Sequence, residues 1–253
     1  MNPELYQQQG FFFPIRILTS TQSDEFAANY LSFQKEYVNG NKNERIKTLH
    51  RVLTRTSQIV RNPTLLNAVE ALLGPNLLMW DLTFFSKSPN GRDHVSWHQD
   101  GHYWGIKSNN LLTAWIALTD SMIQNGCMKM IPGSHRWPPS PHREVEDNSN
   151  MLSRGQTLKT DIHEDTSVNI ELKSGECSLH HLNIAHSSPP NTTKNVRLGL
   201  AVRYAANAVV TTNHARHDAV LVRGATTNPN IQAKPFSSWI AEREPWRSML
   251  LRG

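Results

Sequence analysis

The sequence predicts an α+β domain in which helices pack on a β-sandwich or barrel. Helical patterns are confined to the first third of the chain, and the remainder breaks into short strand-like runs separated by Gly, Pro and Asn. At 253 residues the chain can bury a substantial core, and all-β or mixed barrels of this size commonly form one unit. Neither a repeat nor a linker divides it, so residues 1–253 are read as a single domain.

The segment MNPELYQQQGFFFPIRIL lacks a basic n-region, and its apolar run is only Phe11 to Phe13 before Pro14, so no signal peptide is expected. A first helix is expected after Ser23. A second is expected over 44–60, where Ile46, Leu49, Val52, Leu53 and Ile59 form an apolar stripe opposite Lys42, Arg45, Lys47, Arg51, Arg55 and Arg61. A third begins at Pro63, which suits a first helical turn, and stops at Gly74. Strands are expected at 77–86, 111–118, 128–131, 168–172, 177–182 and 196–204, each bounded by turn residues. The polar, irregular stretch 138–166 is expected to be a lid, mobile alone and ordered over bound substrate.

The net charge of +5 invites a nucleic-acid reading, but the basic residues are interleaved with acidic ones and form no stripe with stacking aromatics. They read as solvated surface, so no nucleic-acid partner is expected. No apolar stretch is long enough to span a bilayer, so neither is a membrane partner. The two cysteines, Cys127 and Cys177, have neither CxxC spacing nor disulfide-scaffold density, which predicts a reducing cytoplasm.

The segment SWHQDGHYWG sets His98 and Asp100 two residues apart, so in an extended chain both side chains leave one face and can share a metal ion. Mononuclear non-haem Fe(II) oxygenases use two imidazoles and one carboxylate on one octahedral face, leaving positions open for cosubstrate and dioxygen. The second imidazole must come from elsewhere, and His186, at a strand end before a turn, is the best candidate. His102 shares the parity of His98 and Asp100 and is an alternative ligand, while His180 and His181 read as supporting or packed histidines. Another H-x-D, His163-Glu164-Asp165, lies in the polar loop without aromatic walls and reads as an acidic surface turn.

After His186, VRLGLAVRY places Val196, Leu198, Leu200, Val202 and Tyr204 on one face and Arg197, Gly199, Ala201 and Arg203 on the other. Two cations separated by two very small residues make a poor core face and a good floor for an anion. Arg197 offers a planar fork of donors to a carboxylate; for Arg203 a structural ion pair is an equal alternative.

The pieces WHQDGHYW, LLTAWIALTD and NGCMKMIPGSH, followed by His181, His186, Ser188, Asn191 and Arg197, resemble the phytanoyl-CoA dioxygenase family from about Gly10 to Gly224. The resemblance implies a double-stranded β-helix, a jelly-roll or cupin-like core, with flanking N-terminal helices. It assigns His98, Asp100 and His186 to Fe(II), and Arg197 with Ser188 to the distal carboxylate of 2-oxoglutarate; Lys87, in FFSKSP, matches a family lysine near that cosubstrate. The implied reaction uses O2 to convert 2-oxoglutarate to succinate and CO2 while a C–H bond of a small-molecule substrate is hydroxylated. The same iron site performing desaturation, ring closure or epimerisation is one alternative, and a non-catalytic metal- or ligand-binding barrel is another. Related halogenases carry a small residue in place of the metal carboxylate, so Asp100 disfavours chlorination. The substrate is expected to touch His102, Tyr103, Trp104, Trp115 and Arg203, a mixture that suits a small polar or anionic metabolite at least as well as a long acyl-CoA.

Overall fold

A computed structural model describes residues 1–37, 56–104, 110–138, 140–152, 155–209, 217–226 and 231–233. Helix α1, Pro3–Gln9, starts on Asn2, whose Oδ1 accepts from the Glu4 and Leu5 amides at 3.0 and 3.2 Å, and stops at Gly10 with φ of 86°. Strand β1, Phe11–Arg16, follows at once. Helix α2, Ser20–Tyr37, begins a few residues before the expected start because Thr19 and Gln22 form a reciprocal cap. The Gln22 amide donates to Thr19 Oγ1 at 3.2 Å and the Thr19 amide to Gln22 Oε1 at 2.9 Å.

Of the helix expected over 44–60, only α3, Thr56–Val60, falls within the described residues. The remainder, with Lys42, Arg45, Lys47, Arg51 and Arg55, lies outside them. Helix α4, Pro63–Leu73, follows the expected pattern. Its cap residue Asn62 does two jobs: Oδ1 accepts from the Leu65 amide at 3.1 Å, and Nδ2 donates to Ile17 O at 2.8 Å. Asn62→Ala is therefore expected to cost about 2 kcal/mol, from a lost cap and a stranded carbonyl. Asn62→Asp, which keeps the cap alone, should lose roughly half of that. Urea midpoints of the full chain check both values.

The strands are β2 (Leu77–Lys87), β3 (Val95–His98), β4 (Leu111–Ala117), β5 (Met128–Met130), β6 (His142–Arg143), β7 (Thr157–Leu158), β8 (Val168–Ile170), β9 (Glu176–His181), β10 (His186–Ser188), β11 (Arg197–Ala206), β12 (His217–Arg223) and β13 (Ile231–Ala233); the short α5 (Gly101–Trp104) follows β3. A seven-stranded sheet has the order β1-β9-β4-β11-β2-β12-β13, and a four-stranded sheet the order β3-β10-β5-β8. The pairings are antiparallel except for β12 with β13.

Strand β11 shows how the layers are made. Leu198, Leu200, Val202 and Tyr204 enter a core with Tyr30, Ile59, Leu65 and Val69 of the helices, and Tyr204 Oη donates to Val60 O at 2.8 Å. On the opposite face Ala201 joins Trp115, Met128, Met130 and Ile170 between the sheets. The arrangement is the expected double-stranded β-helix, with helices outside the larger sheet and the chemistry between the sheets. The stretch 138–166 differs from the irregular loop expected. It contains the β6–β7 ribbon and is stitched to the β3 side: Ser96 Oγ donates to Gln156 O at 2.6 Å, and the Met151 amide donates to His94 O at 2.8 Å. Two-residue strands are too short to show alternation in sequence. Among the described residues no helix is long and apolar enough to cross a membrane.

Candidate metal centre and cosubstrate pocket

In the antiparallel ladder β3–β10, His98 and His186 are direct cross-strand partners, and a register irregularity separates His186 from Ser188. Asp100 lies past the end of β3, in the turn that enters α5, so it is not the continuation of a strand. The ligand atoms of His98, Asp100 and His186 nevertheless lie within 4.8 Å of one another, and the residues are only 3, 5 and 6 % exposed.

The tautomers follow from the main chain. His98 Nδ1 is 2.9 Å from Ser96 O and His186 Nδ1 is 3.0 Å from Ile184 O. A carbonyl only accepts, so each Nδ1 carries a proton, which leaves Nε2 as the nitrogen able to bind a metal at the centre. Nε2 of His98 stands 3.5 Å from Oδ1 of Asp100. Burial, and then the nearby His98, push the His186 imidazole well below its ordinary value, which keeps it neutral. Burial alone would push the Asp100 carboxyl up, but His180 and His98 beside it and the nearby Arg203 outweigh that and hold it well below the usual carboxylate range. Two imidazole Nε2 atoms and an ionised carboxylate, converging in a buried site, suit a cation between them. The nitrogen and oxygen donor set suits Fe(II).

A pocket leads from these residues along β11, with Phe85, Val95, Trp115, Met128, Leu152 and Ala201 in its walls. Arg197, also in the wall, is 1 % exposed. Its guanidinium lies 4.5 Å from the Trp115 ring centroid, its Nε donates to Ser121 Oγ at 3.4 Å, and its buried Nη2 has no hydrogen-bond partner among the described residues. Burial lowers its pKa to about 10, which still leaves it charged at neutral pH. A buried cation with an unused donor fits an incoming carboxylate. Gly199 permits the stacking, because a Cβ there would stand 1.9 Å from Trp115 Cζ2.

Ser188 lines the pocket, with its hydroxyl donating to Gly126 O at 2.8 Å, so a bound carboxylate would compete for that proton. Lys87 stands behind Ser188 rather than on the wall. Its Nζ lies within hydrogen-bonding distance of Ser188 O at 3.0 Å, Ser188 Oγ at 2.5 Å and Pro189 O at 2.5 Å, and burial followed by Arg197 lowers its pKa to about 6. Asn191 ties the β10–β11 turn to the end of β2 by donating to Lys87 O and Ser88 O, each at 3.2 Å. Trp115 and Arg203 line the pocket. His102 is exposed and stacks on His142, with ring centroids 4.1 Å apart, and is not on the wall. The expected roles of Tyr103 and Trp104 fall on side chains outside those the structure describes. His181 is buried away from the pocket, where its Nδ1 accepts from the Asn183 amide at 3.1 Å.

His163-Glu164-Asp165 forms the expected surface turn, in which Glu164 accepts from Trp97 Nε1 at 3.0 Å and Lys129 Nζ at 3.1 Å. Leu152, on the wall, comes from the stretch 138–166 expected to cover the pocket, whereas sequence reasoning missed Thr113. The signal for Thr113 was a hydroxyl inside an apolar strand, two residues from Trp115 and therefore on the same face.

A double-stranded β-helix with such a donor set at one end of its pocket and a buried, available cation at the other has the construction of an Fe(II)- and 2-oxoglutarate-dependent dioxygenase. Residues 17–199 match the family model described as Phytanoyl-CoA dioxygenase (PhyH), and the chain belongs to that family. A probable alpha-ketoglutarate-dependent hypophosphite dioxygenase of Stutzerimonas stutzeri is 25% identical over 209 residues, covering 79% of this chain and 73% of the relative. The peroxisomal phytanoyl-CoA dioxygenase of Homo sapiens is 27% identical over 150 residues, 57% of this chain, and the match spans only 44% of that relative's length. Among solved structures, the apo form of the non-heme monooxygenase ThoJ is 29% identical with a TM-score of 0.81, covering 99% of this chain and 98% of that one.

Proposed function

We propose that the protein hydroxylates a C–H bond of a small-molecule substrate, with Fe(II) held by His98, Asp100 and His186 and 2-oxoglutarate anchored through its distal carboxylate by Arg197. The carrying observation is the convergence of three buried ligand atoms within 4.8 Å, two of them on imidazole rings fixed by main-chain carbonyls. When bound, iron and cosubstrate supply with O2 an oxidant able to remove hydrogen from an unactivated C–H bond, as 2-oxoglutarate becomes succinate and CO2.

The chain's own residues supply geometry and exclusion of water. Ser96 O and Ile184 O hold the imidazole rings, and Trp115 and Ser121 hold the guanidinium fork. Ser188 offers its hydroxyl to the same carboxylate, and Lys87 acts through Ser188 by fixing its carbonyl and hydroxyl. The walls of Phe85, Val95, Met128 and Leu152 leave little room for bulk water. Arg203, bound to Thr83 Oγ1 at 2.9 Å and 3.7 Å from Asp81, places a cation on the pocket wall and supports a polar or anionic group on the substrate. The retained carboxylate of Asp100 and the likeness to a non-heme monooxygenase support oxygen insertion over chlorination.

The test is turnover of a panel of small carboxylate and phosphonate compounds under oxygen-18 dioxygen, with Fe(II) and 2-oxoglutarate. Succinate is expected to form in step with a product carrying the label, and a chelator should stop both. Succinate with an unlabelled, desaturated or epimerised product would sink the hydroxylase reading, and no succinate from any compound would sink the oxygenase assignment.

A further inference from the structure

Asp100 stands in a turn, and the terminal torsion of an aspartate is broad, so the main chain alone does not orient its carboxylate. The larger sheet does. His180 of β9, Thr113 of β4 and Arg203 of β11 are successive cross-strand partners and form one polar rung on the pocket wall. Thr113 is 1 % exposed, and its hydroxyl donates its single proton to Asp100 Oδ2 at 2.8 Å. His180 Nε2 stands 3.8 Å from the same oxygen. The other oxygen, Oδ1, is the one 3.5 Å from His98 Nε2, on the imidazole side. The two carboxylate oxygens are thus sorted, one toward the rung and one toward the converging imidazole nitrogens.

From this sorting we infer that Thr113 is a positioning residue that makes Asp100 a one-oxygen metal ligand, with His180 as a more distant second. The inference rests on the metal reading above. Coordination number gives it weight. An octahedral ion with two imidazoles and a two-oxygen carboxylate keeps two positions, which a chelating 2-oxo acid fills completely. With one oxygen bound, a third position remains for dioxygen. A charge-assisted bond that engages Oδ2 opposes the two-oxygen mode, because chelation would pull that oxygen away from the hydroxyl. The one hydroxyl proton of Thr113 is committed to Asp100 Oδ2, so its role toward the metal runs through Asp100.

The test is titration of the full-length protein with Co(II), followed by its visible absorption, whose intensity reports coordination number. Thr113→Val is expected to weaken Co(II) binding roughly 10- to 100-fold, the usual effect of losing a partner that orients a metal ligand. It should also change the shape and intensity of the Co(II) bands. Thr113→Ser, which restores the hydroxyl, should return both to near wild type, which a purely steric role would not require. His180→Leu should cost less affinity than Thr113→Val. Wild-type affinity and spectrum in Thr113→Val, an equal loss in Thr113→Ser, or a larger loss in His180→Leu would each overturn the assignment. If Thr113→Val does not fold, Thr113→Ala carries the same outcomes. Asp100→Ala separates the two levels: unchanged Co(II) binding in that variant defeats the metal reading itself, whereas its loss beside an unaffected Thr113→Val defeats only the role of Thr113.

Discussion

Arg197→Lys is expected to raise the 2-oxoglutarate concentration needed for half-maximal succinate formation by roughly 10- to 100-fold, the equivalent of about 1.5–3 kcal/mol for a charge-assisted, two-pronged contact. Lysine keeps the charge but loses the planar fork that lies over Trp115 with Nη2 available. Iron binding should be nearly intact, because Arg197 is not among the three converging donors. Arg203→Lys should have the smaller effect on cosubstrate, since Arg203 is already engaged by Thr83 and Asp81. A companion variant, Arg197→Met, gives a sign that a structural arginine would not. Replacing a buried cation that lacks a carboxylate by an apolar chain should leave the ligand-free protein as stable or raise its melting temperature, while stabilisation by added 2-oxoglutarate disappears. A large loss of ligand-free stability would make Arg197 a structural residue, and equal cosubstrate effects at Arg197 and Arg203 would remove the distinction drawn between them.

His98→Ala, Asp100→Ala and His186→Ala should each abolish metal-dependent turnover. The cleanest readout is thermal. A metal present at a hundred times its dissociation constant stabilises a protein by about 2.7 kcal/mol, and each variant should lose essentially all of that shift. His163→Ala and Asp165→Ala should retain it, because their turn is on the surface and, among the described residues, the only group of donors close enough to share an ion is His98, Asp100 and His186. Retained metal stabilisation in any triad variant, or its loss in the surface pair, would mean that the metal lies elsewhere.

Much of this site was legible in the sequence because strand periodicity is strict. The alternation in VRLGLAVRY assigned Leu198, Leu200, Val202 and Tyr204 to the helix-facing core and Arg197 and Arg203 to the pocket wall. Boundaries of the longer strands came out within a residue or two for the same reason, and Gly74 ended α4 where expected. The terminal elements were not legible: α1 and β1 form a short helix and an edge strand interrupted by Pro14, and neither builds a periodic signal. The loop 138–166 hid its ribbon because two residues per strand show no alternation.

What the sequence by itself determined is the chemical inventory: two histidines and an aspartate with the spacing of a mononuclear iron site, and an arginine on the wall of a small-residue strand. Only the tertiary structure decided which atoms meet. It paired His98 with His186 across β3 and β10, and it sent one H-x-D to the surface and buried the other. It also put Lys87 behind Ser188, stacked His102 on His142, and laid Thr113 under one oxygen of Asp100. The physical reason is that periodicity reports the face from which a side chain leaves its own strand. The partner it finds depends on strand register and sheet closure, which join residues 13 to 104 positions apart along the chain.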